Sequence, residues 1–257
     1  MCLLLIDWRT HANFRLVIAA NRDEFHSRAS AAASWWTDYP DLLGGRDLEA
    51  MGTWLAINRF GHFAAVTNVR KPTSGRTKSR GELAVDFLIE TEPQVQNYLG
   101  RLGHSADDYN GYNFIGYDGA NMAWFNNSDC DSKVLPRGVY GLSNAALDTA
   151  WPKVVRLKAD YGRFSTQRED FYENLFALLA DRKIASDDEL PNTGIELELE
   201  RQLSPIFIEG TSYGTRCSTI FTLTHDGEVT FKERRFNADR ELIGESSFEF
   251  EIELSAT

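Results

Sequence analysis

Cysteine is scarce in this chain: Cys2, Cys130 and Cys217 are scattered over 257 residues, with no CxxC pair and no CxxCH run. Neither a disulfide framework, a structural zinc site nor covalent haem attachment is implied. The five histidines, His11, His26, His62, His104 and His225, form no HExxH arrangement, so a dedicated metal site is not expected. Positive charge is also short, with 27 Lys and Arg against 38 Asp and Glu and a formal net charge of −11. A duplex binder needs a surplus of Lys and Arg to displace counterions from phosphates, so nucleic acid is not an expected partner. Long apolar runs are missing too. The opening Met-Cys-Leu-Leu-Leu-Ile-Asp-Trp-Arg lacks a basic n-region and is too short for a signal peptide or a transmembrane segment, which leads to the expectation of a cytoplasmic protein. No low-complexity stretch or linker divides the chain, and no Rossmann or P-loop glycine pattern occurs. What is there, 42% hydrophobic and 25% charged residues, is ordinary globular composition. One domain over residues 1–257 is the simplest account.

Strand pairs dominate the pattern. Leu3 to Trp8 and Phe14 to Ala20 are apolar runs separated by the turn residues of Thr10 to Asn13. A turn centred on His11 and Ala12 would set Cys2 close to opposite Asn21, so a sulfur, an amide and carboxylates meet at one end of a sheet. A second hairpin, Thr53–Asn58 with His62–Val69, turns at Arg59-Phe60-Gly61 and returns Thr67 and Asn68 to the level of Gly52 and Thr53. Ser79-Arg80-Gly81-Glu82 reads as a capping box for a helix from Arg80 to Glu90. Asn113–Tyr117 and Met122–Asn126 flank the turn at Asp118-Gly119-Ala120-Asn121, and Val139–Leu142 leads into Ser143-Asn144. Helical spacing covers Lys153–Tyr161, Glu169–Arg182 and Ile195–Gln202. Strands Arg216–Thr224 and Glu228–Phe236 join through Asp226-Gly227, and Phe248, Phe250, Ile252 and Leu254 alternate with glutamates. Neighbouring strand pairs with helices in separate groups give an α+β domain of mainly antiparallel sheets.

The order of short motifs is distinctive. It runs through Met1-Cys2, Asn21-Arg22-Asp23-Glu24, Gly44-Gly45-Arg46-Asp47, Gly52-Thr53-Trp54-Leu55 and Val66-Thr67-Asn68-Val69-Arg70. It continues with Ser79-Arg80-Gly81-Glu82-Leu83, Tyr109-Asn110-Gly111-Tyr112-Asn113, Gly141-Leu142-Ser143-Asn144, Trp151-Pro152-Lys153 and Tyr213-Gly214-Thr215-Arg216. Over nearly the whole chain this resembles the NRDE family, which includes the transport and Golgi organization proteins. The resemblance implies an N-terminal-nucleophile (Ntn) hydrolase-like αββα sandwich, two stacked and mainly antiparallel sheets flanked by helices. For some members it implies the handling of haem, here as cargo rather than as a resident cofactor.

An N-terminal nucleophile needs a free α-amine beside the attacking side chain, because that amine serves as the base. Cys2 meets this requirement once Met1 is removed, and a small second residue is compatible with that removal. Asp23 resembles the carboxylate that orients the amine in cysteine acylases of the choloylglycine-hydrolase type, and Asn68, Asn144 and Arg216 resemble their oxyanion and positioning groups. Those acylases carry an arginine just before the asparagine of this segment, where this chain has Ala20; Arg22 points to the same side as Ala20 if the strand is regular. The structural alternatives are turn or strand-end capping for Asn21, Asn68 and Asn144, and loop-holding ion pairs for Arg22 with Glu24 and Arg46 with Asp47. Arg70 opens a basic stretch with Lys71, Arg76, Lys78 and Arg80, either an anion site near the helix start or a solvated loop. Trp35, Trp36 and Trp54 either line an apolar pocket or pack in the core.

These readings give three functional expectations. The first is a cytoplasmic family member binding or trafficking haem or a similar amphipathic ligand at the Cys2 end, with Asn21, Arg22, Glu24, Trp54 and Arg70 as binding residues. Haem would also need an axial ligand, and no His, Met, Cys or Tyr is singled out. The second is an amidohydrolase that cleaves a linear amide through Cys2, with a small amphipathic acyl compound as partner. The third is a non-catalytic interaction domain. No metal or nucleotide cofactor is implied.

Overall fold

A computed structural model of the chain describes residues 2–71, 75–164 and 170–253. Its elements, in order, are β1 (Cys2–Trp8), β2 (Phe14–Phe25), β3 (Ser30–Trp35), β4 (Leu42–Asp47), β5 (Leu55–Asn58) and β6 (Phe63–Asn68). Helices α1 (Gly81–Leu88) and α2 (Val95–His104) follow, then β7 (Tyr112–Tyr117), β8 (Met122–Asn126), β9 (Asp131–Val134) and β10 (Gly138–Leu142). Helices α3 (Pro152–Phe164), α4 (Phe171–Leu179) and α5 (Leu197–Gln202) precede β11 (Tyr213–Thr224), β12 (Glu228–Phe236) and β13 (Leu242–Glu251).

The strands form two antiparallel sheets, one ordered β10-β1-β2-β11-β12-β13 and the other β3-β4-β5-β6-β7-β8-β9. Alternation along β1 explains the stacking. Cys2, Leu4, Ile6 and Trp8 face a core shared with Leu43, Leu55, Ile57, Phe63 and Ile115 of the second sheet. Leu3 and Leu5 face the other way, onto Val154 and Leu157 of α3 and Leu175 and Leu179 of α4. On the far side of the second sheet, Ala64, Val66 and Phe114 pack under Leu83 and Phe87 of α1 and Tyr98 and Leu102 of α2. The layers therefore run helix, sheet, sheet, helix, the αββα sandwich that the resemblance implies.

The anticipated hairpins form. Leu55 pairs with Ala65, which continues to the expected levels of Thr67 and Asn68, and Gly61 makes the turn with φ +81°. The first hairpin differs by one residue: Cys2 lies opposite Arg22, and Leu3 opposite Asn21. The Asp7 carboxylate accepts the amide and hydroxyl of Thr10, and Arg9 N donates to Arg15 O (2.9 Å), so the ladder pivots on Ala12. That single step exchanges which of Asn21 and Arg22 shares a face with Cys2.

The capping box does not close. Glu82 accepts the Tyr109 hydroxyl (2.6 Å) instead of turning back to Ser79, and α1 is shorter than the expected Arg80–Glu90. The expected Glu169–Arg182 helix is confined to Phe171–Leu179, because Asp181 Oδ1 takes the Lys183 amide and turns the chain away; Glu169 lies outside the described residues. The third helix begins at Leu197 rather than Ile195. Along β13, Phe248 and Phe250 face the core and Glu249 and Glu251 face water as expected; Leu254 lies outside the described residues.

Candidate functional site

Cys2 begins β1 where β2 is ending, and the inter-sheet space opens there into a polar cavity of about 260 Å³. Cys2, Arg22, Asp23, Glu24, Asn68 and Arg80 line it. Cys2 is 9% exposed. Burial pushes its thiol up, the charges of Asp23 and Glu24 act in the same direction, and Arg22 opposes them. Strand β2 is regular from Ala20, opposite Leu4, to Arg22, opposite Cys2, and both residues share the face of Cys2. The irregularity of the β2–β11 ladder nearest to Cys2 falls on β11, between Thr215 and Cys217.

Asp23 lines the cavity while remaining almost fully buried. The Thr215 hydroxyl donates to its Oδ1 (2.7 Å), and the Tyr213 hydroxyl donates to its backbone carbonyl (2.9 Å). Burial raises the Asp23 carboxyl, against the nearby Lys153 charge. Lys153 is itself 2% exposed, with Nζ donating to Leu203 O at 3.1 Å. Burial lowers its ammonium to about 8, and Asp23 opposes that shift. In the sequence Lys153 stands only as the last residue of the Trp151-Pro152-Lys153 motif. Its signal was a lysine on the apolar stripe of α3, one turn before Leu157 and two before Tyr161.

The other predicted residues divide between the cavity and places away from it. Asn68 ends β6 and borders both the polar cavity and an apolar groove of about 710 Å³, which Phe25, Leu199, Leu203, Ile208 and Tyr213 help to line. Glu24 is the other residue the two spaces share. Asn144 donates Nδ2 to Asn68 O (2.9 Å), and therefore positions Asn68 from behind. Trp54 lines the cavity with its ring 4.2 Å from the Arg22 guanidinium. A Cβ at Gly45 would come within 2.3 Å of that indole, which explains why glycine precedes Arg46.

Asn21, expected as a binding residue, is on the opposite face. It donates to Leu179 O and Ile206 O and accepts from Ser218, a buried clamp between sheet and helix layer. Arg216 is likewise outside the cavity, since its guanidinium donates to the carbonyls of Phe25 (2.8 Å) and Arg28 (3.0 Å). Arg70 pairs with the buried Glu200 (2.6 Å) and lies over Trp151, so it supports the α3 side rather than the cavity. The expected pairs Arg22–Glu24 and Arg46–Asp47 are exchanged. Asp47 takes Arg28 (2.6 Å) and, more loosely, Arg22 (3.7 Å), while Arg46 pairs with Asp38. The basic stretch does not converge on an anion site: Lys71 meets Asp129, Lys78 meets Asp108, and only Lys78 and Arg80 of its cations border the cavity. Trp36 is in the helix-side core and Trp35 packs on Phe250.

The sequence profile described as "Transport and Golgi organisation 2" matches residues 1–238. The chain belongs to that family. Within it, the Transport and Golgi organization protein 2 homologs of Homo sapiens and Bos taurus are 35% and 34% identical to this chain over 239 and 244 residues. Each alignment covers 86% of this chain and 86% of the relative. Among solved structures, a mutant conjugated bile acid hydrolase from Clostridium perfringens superposes with a TM-score of 0.49 at 9% identity, covering 100% of this chain and 99% of that one.

In this Transport and Golgi organisation 2 family member the Lys153 ammonium gives a testable pH dependence. Lys153 binds its proton less tightly when folded (about 8) than at its ordinary 10.5. The unfolded state therefore holds more protons through that window, and this group makes stability rise with pH across it. Urea melts of the native chain and Lys153→Met, taken from about pH 7 to about pH 10.5, are expected to diverge in favour of the native chain as pH rises. A difference independent of pH would contradict the assignment.

Proposed function

We propose that this chain is an N-terminal-cysteine hydrolase of amphipathic acyl compounds, with Cys2 as the nucleophile after loss of Met1. The observation that carries the reading is that Cys2, Asp23 and Asn68 line one cavity, which meets an apolar groove at Asn68 and Glu24. The acyl chain lies in the groove and the scissile carbonyl beside Cys2. The sulfur attacks the carbonyl carbon, its proton passes to the α-amine of Cys2, and Asp23 orients that amine. Asn68 stabilises the tetrahedral oxyanion by donating from its amide. When the C–N bond breaks, the leaving amine takes the proton from the α-amine, and water then hydrolyses the thioester to regenerate the thiol. An ester or thioester follows the same path with an alcohol or thiol leaving. A cytoplasmic setting agrees with three free thiols, and among the described residues no helix is long and apolar enough to cross a membrane.

Intact mass measurement after incubation with a medium-chain acyl amide tests the reading. The expected spectrum has lost Met1 and carries one acyl increment on the amino-terminal peptide. Retained Met1, or an increment on another residue, would overturn it.

The volume and apolar lining of the groove favour a second reading, binding of haem or a similar amphipathic cargo without turnover. In that case haemin titration gives a saturable Soret change that Leu203→Glu removes, and no acyl increment forms.

A further inference from the structure

We infer that Arg22 receives a carboxylate, and that the compound cleaved at Cys2 is an N-acyl amino acid; the inference rests on the hydrolase reading. Arg22 is 5% exposed, and its Nη1 is buried without a hydrogen-bond partner. Its Nη2 stands 3.7 Å from Asp47, beyond hydrogen-bond reach. That carboxylate is already engaged by Arg28 at 2.6 Å and by the amides of Glu49 and Ala50. Buried guanidinium groups are ordinarily saturated with acceptors, because an unpaired buried donor retains its full desolvation penalty. Arg22 instead lies over the Trp54 ring and lines the cavity that contains Cys2.

The pairing of Cys2 with Arg22 points to one class of substrate. Cys2 and Arg22 are direct cross-strand partners on one face, and such partners have Cα atoms about 5 Å apart. In an N-acyl amino acid only the nitrogen and Cα separate the scissile carbonyl carbon from the carboxyl carbon, roughly 3–4 Å across. The inference puts both contacts in one pose, with Cys2 attacking the carbonyl carbon while Arg22 pairs with the carboxylate. The surrounding charges set its direction. Lys78 is paired with Asp108, Arg28 with Asp47, and Arg80 donates to Gly111 O. Asp23 and Glu24 are the acidic groups beside Cys2, and Glu24 stands where the polar cavity meets the groove. A carboxylate is repelled from that junction and drawn to Arg22, which leaves the groove for the acyl chain.

The test compares N-lauroylglycine with neutral N-lauroylglycinamide, which differ only in the charge placed at Arg22. KM is expected to be about 30-fold lower for the acid, the factor typical of a buried charge contact. Arg22→Met should bring the ratio of the two KM values close to one, and Arg22→Lys, which keeps the charge without the planar fork, should restore part of it. Thermal melts of each variant establish that it is folded. Equal KM values in the native chain, or a ratio unchanged by Arg22→Met, overturn the inference and leave the hydrolase reading standing. If neither compound is cleaved, the hydrolase reading fails, and calorimetry with N-lauroylglycine decides the subsite alone. An affinity loss of about 30-fold in Arg22→Met supports it, and equal affinities overturn it.

Discussion

Cys2→Ala is expected to lower turnover of an acyl amide by at least about 10⁴-fold, because removing a covalent nucleophile abolishes the chemical step rather than weakening binding. The acyl increment on the amino-terminal peptide should vanish with it. The fold should survive, since Cys2 is a small residue at a strand start and its truncation costs about 1 kcal/mol. The other thiols provide internal controls. Cys130 is exposed and open to alkylation, whereas Cys217 is buried with a thiol that burial raises well above its ordinary range. Complete alkylation of Cys130 should therefore leave turnover intact. An acyl increment that persists in Cys2→Ala would sink the nucleophile assignment. Cys2→Ser tests the same point more gently, because it retains an attacking oxygen beside the amine.

Asn113→Leu is expected to destabilise the protein by about 3–5 kcal/mol, through a buried hydrogen-bond network that lies outside the cavity. Asn113 Nδ2 donates to Thr67 Oγ1 (3.0 Å) and Ala145 O (2.9 Å). Its Oδ1 accepts Trp124 Nε1 (3.0 Å) and Asn126 Nδ2 (2.9 Å). Thr67 in turn donates to Ser143 O (2.8 Å). One side chain thus links β6, β7 and β8 to the segment after β10. Leucine has a similar size but leaves these groups unpaired in a site without water access, so packing cannot compensate. The loss corresponds to a fall in Tm on the order of 10 °C for a chain of this length. The segment it releases also carries Asn144, which holds the carbonyl of Asn68, so hydrolysis should fall before global unfolding. A loss below about 1 kcal/mol in urea melts would show that the network is not cooperative.

The legibility of the elements followed their burial. β1, β2, β11 and β12 are apolar on at least one face and bounded by strong turns, and they were readable. β9 (Asp131–Val134) is exposed along its whole length, so it carries no periodicity to read. β3 is built on three alanines and β4 contains Gly44 and Gly45, compositions that do not favour strands in isolation. Their pairing is imposed by neighbours, with Trp35 opposite Leu43 and Gly44 opposite Ala56. Helix α2 is not among the expected elements, although Val95, Tyr98, Leu99 and Leu102 follow helical spacing, and all are buried.

For this protein the sequence alone determined the class of fold, the family and the end of the sheet where the chemistry-bearing residues gather. Those properties follow from strand alternation, turn residues and the order of motifs, which are local or one-dimensional. Tertiary structure decided which of those residues face the cavity. A one-residue difference in the first hairpin puts Arg22, not Asn21, beside Cys2, because neighbouring residues on a strand point to opposite faces. It also decided the charge pairs, turning Arg70 to Glu200 and Asp47 to Arg28 over separations that no sequence spacing encodes. The buried Lys153, whose charge interacts with Asp23, belongs to the same category, since its altered proton affinity comes from removal of water by folding and not from its place in the chain.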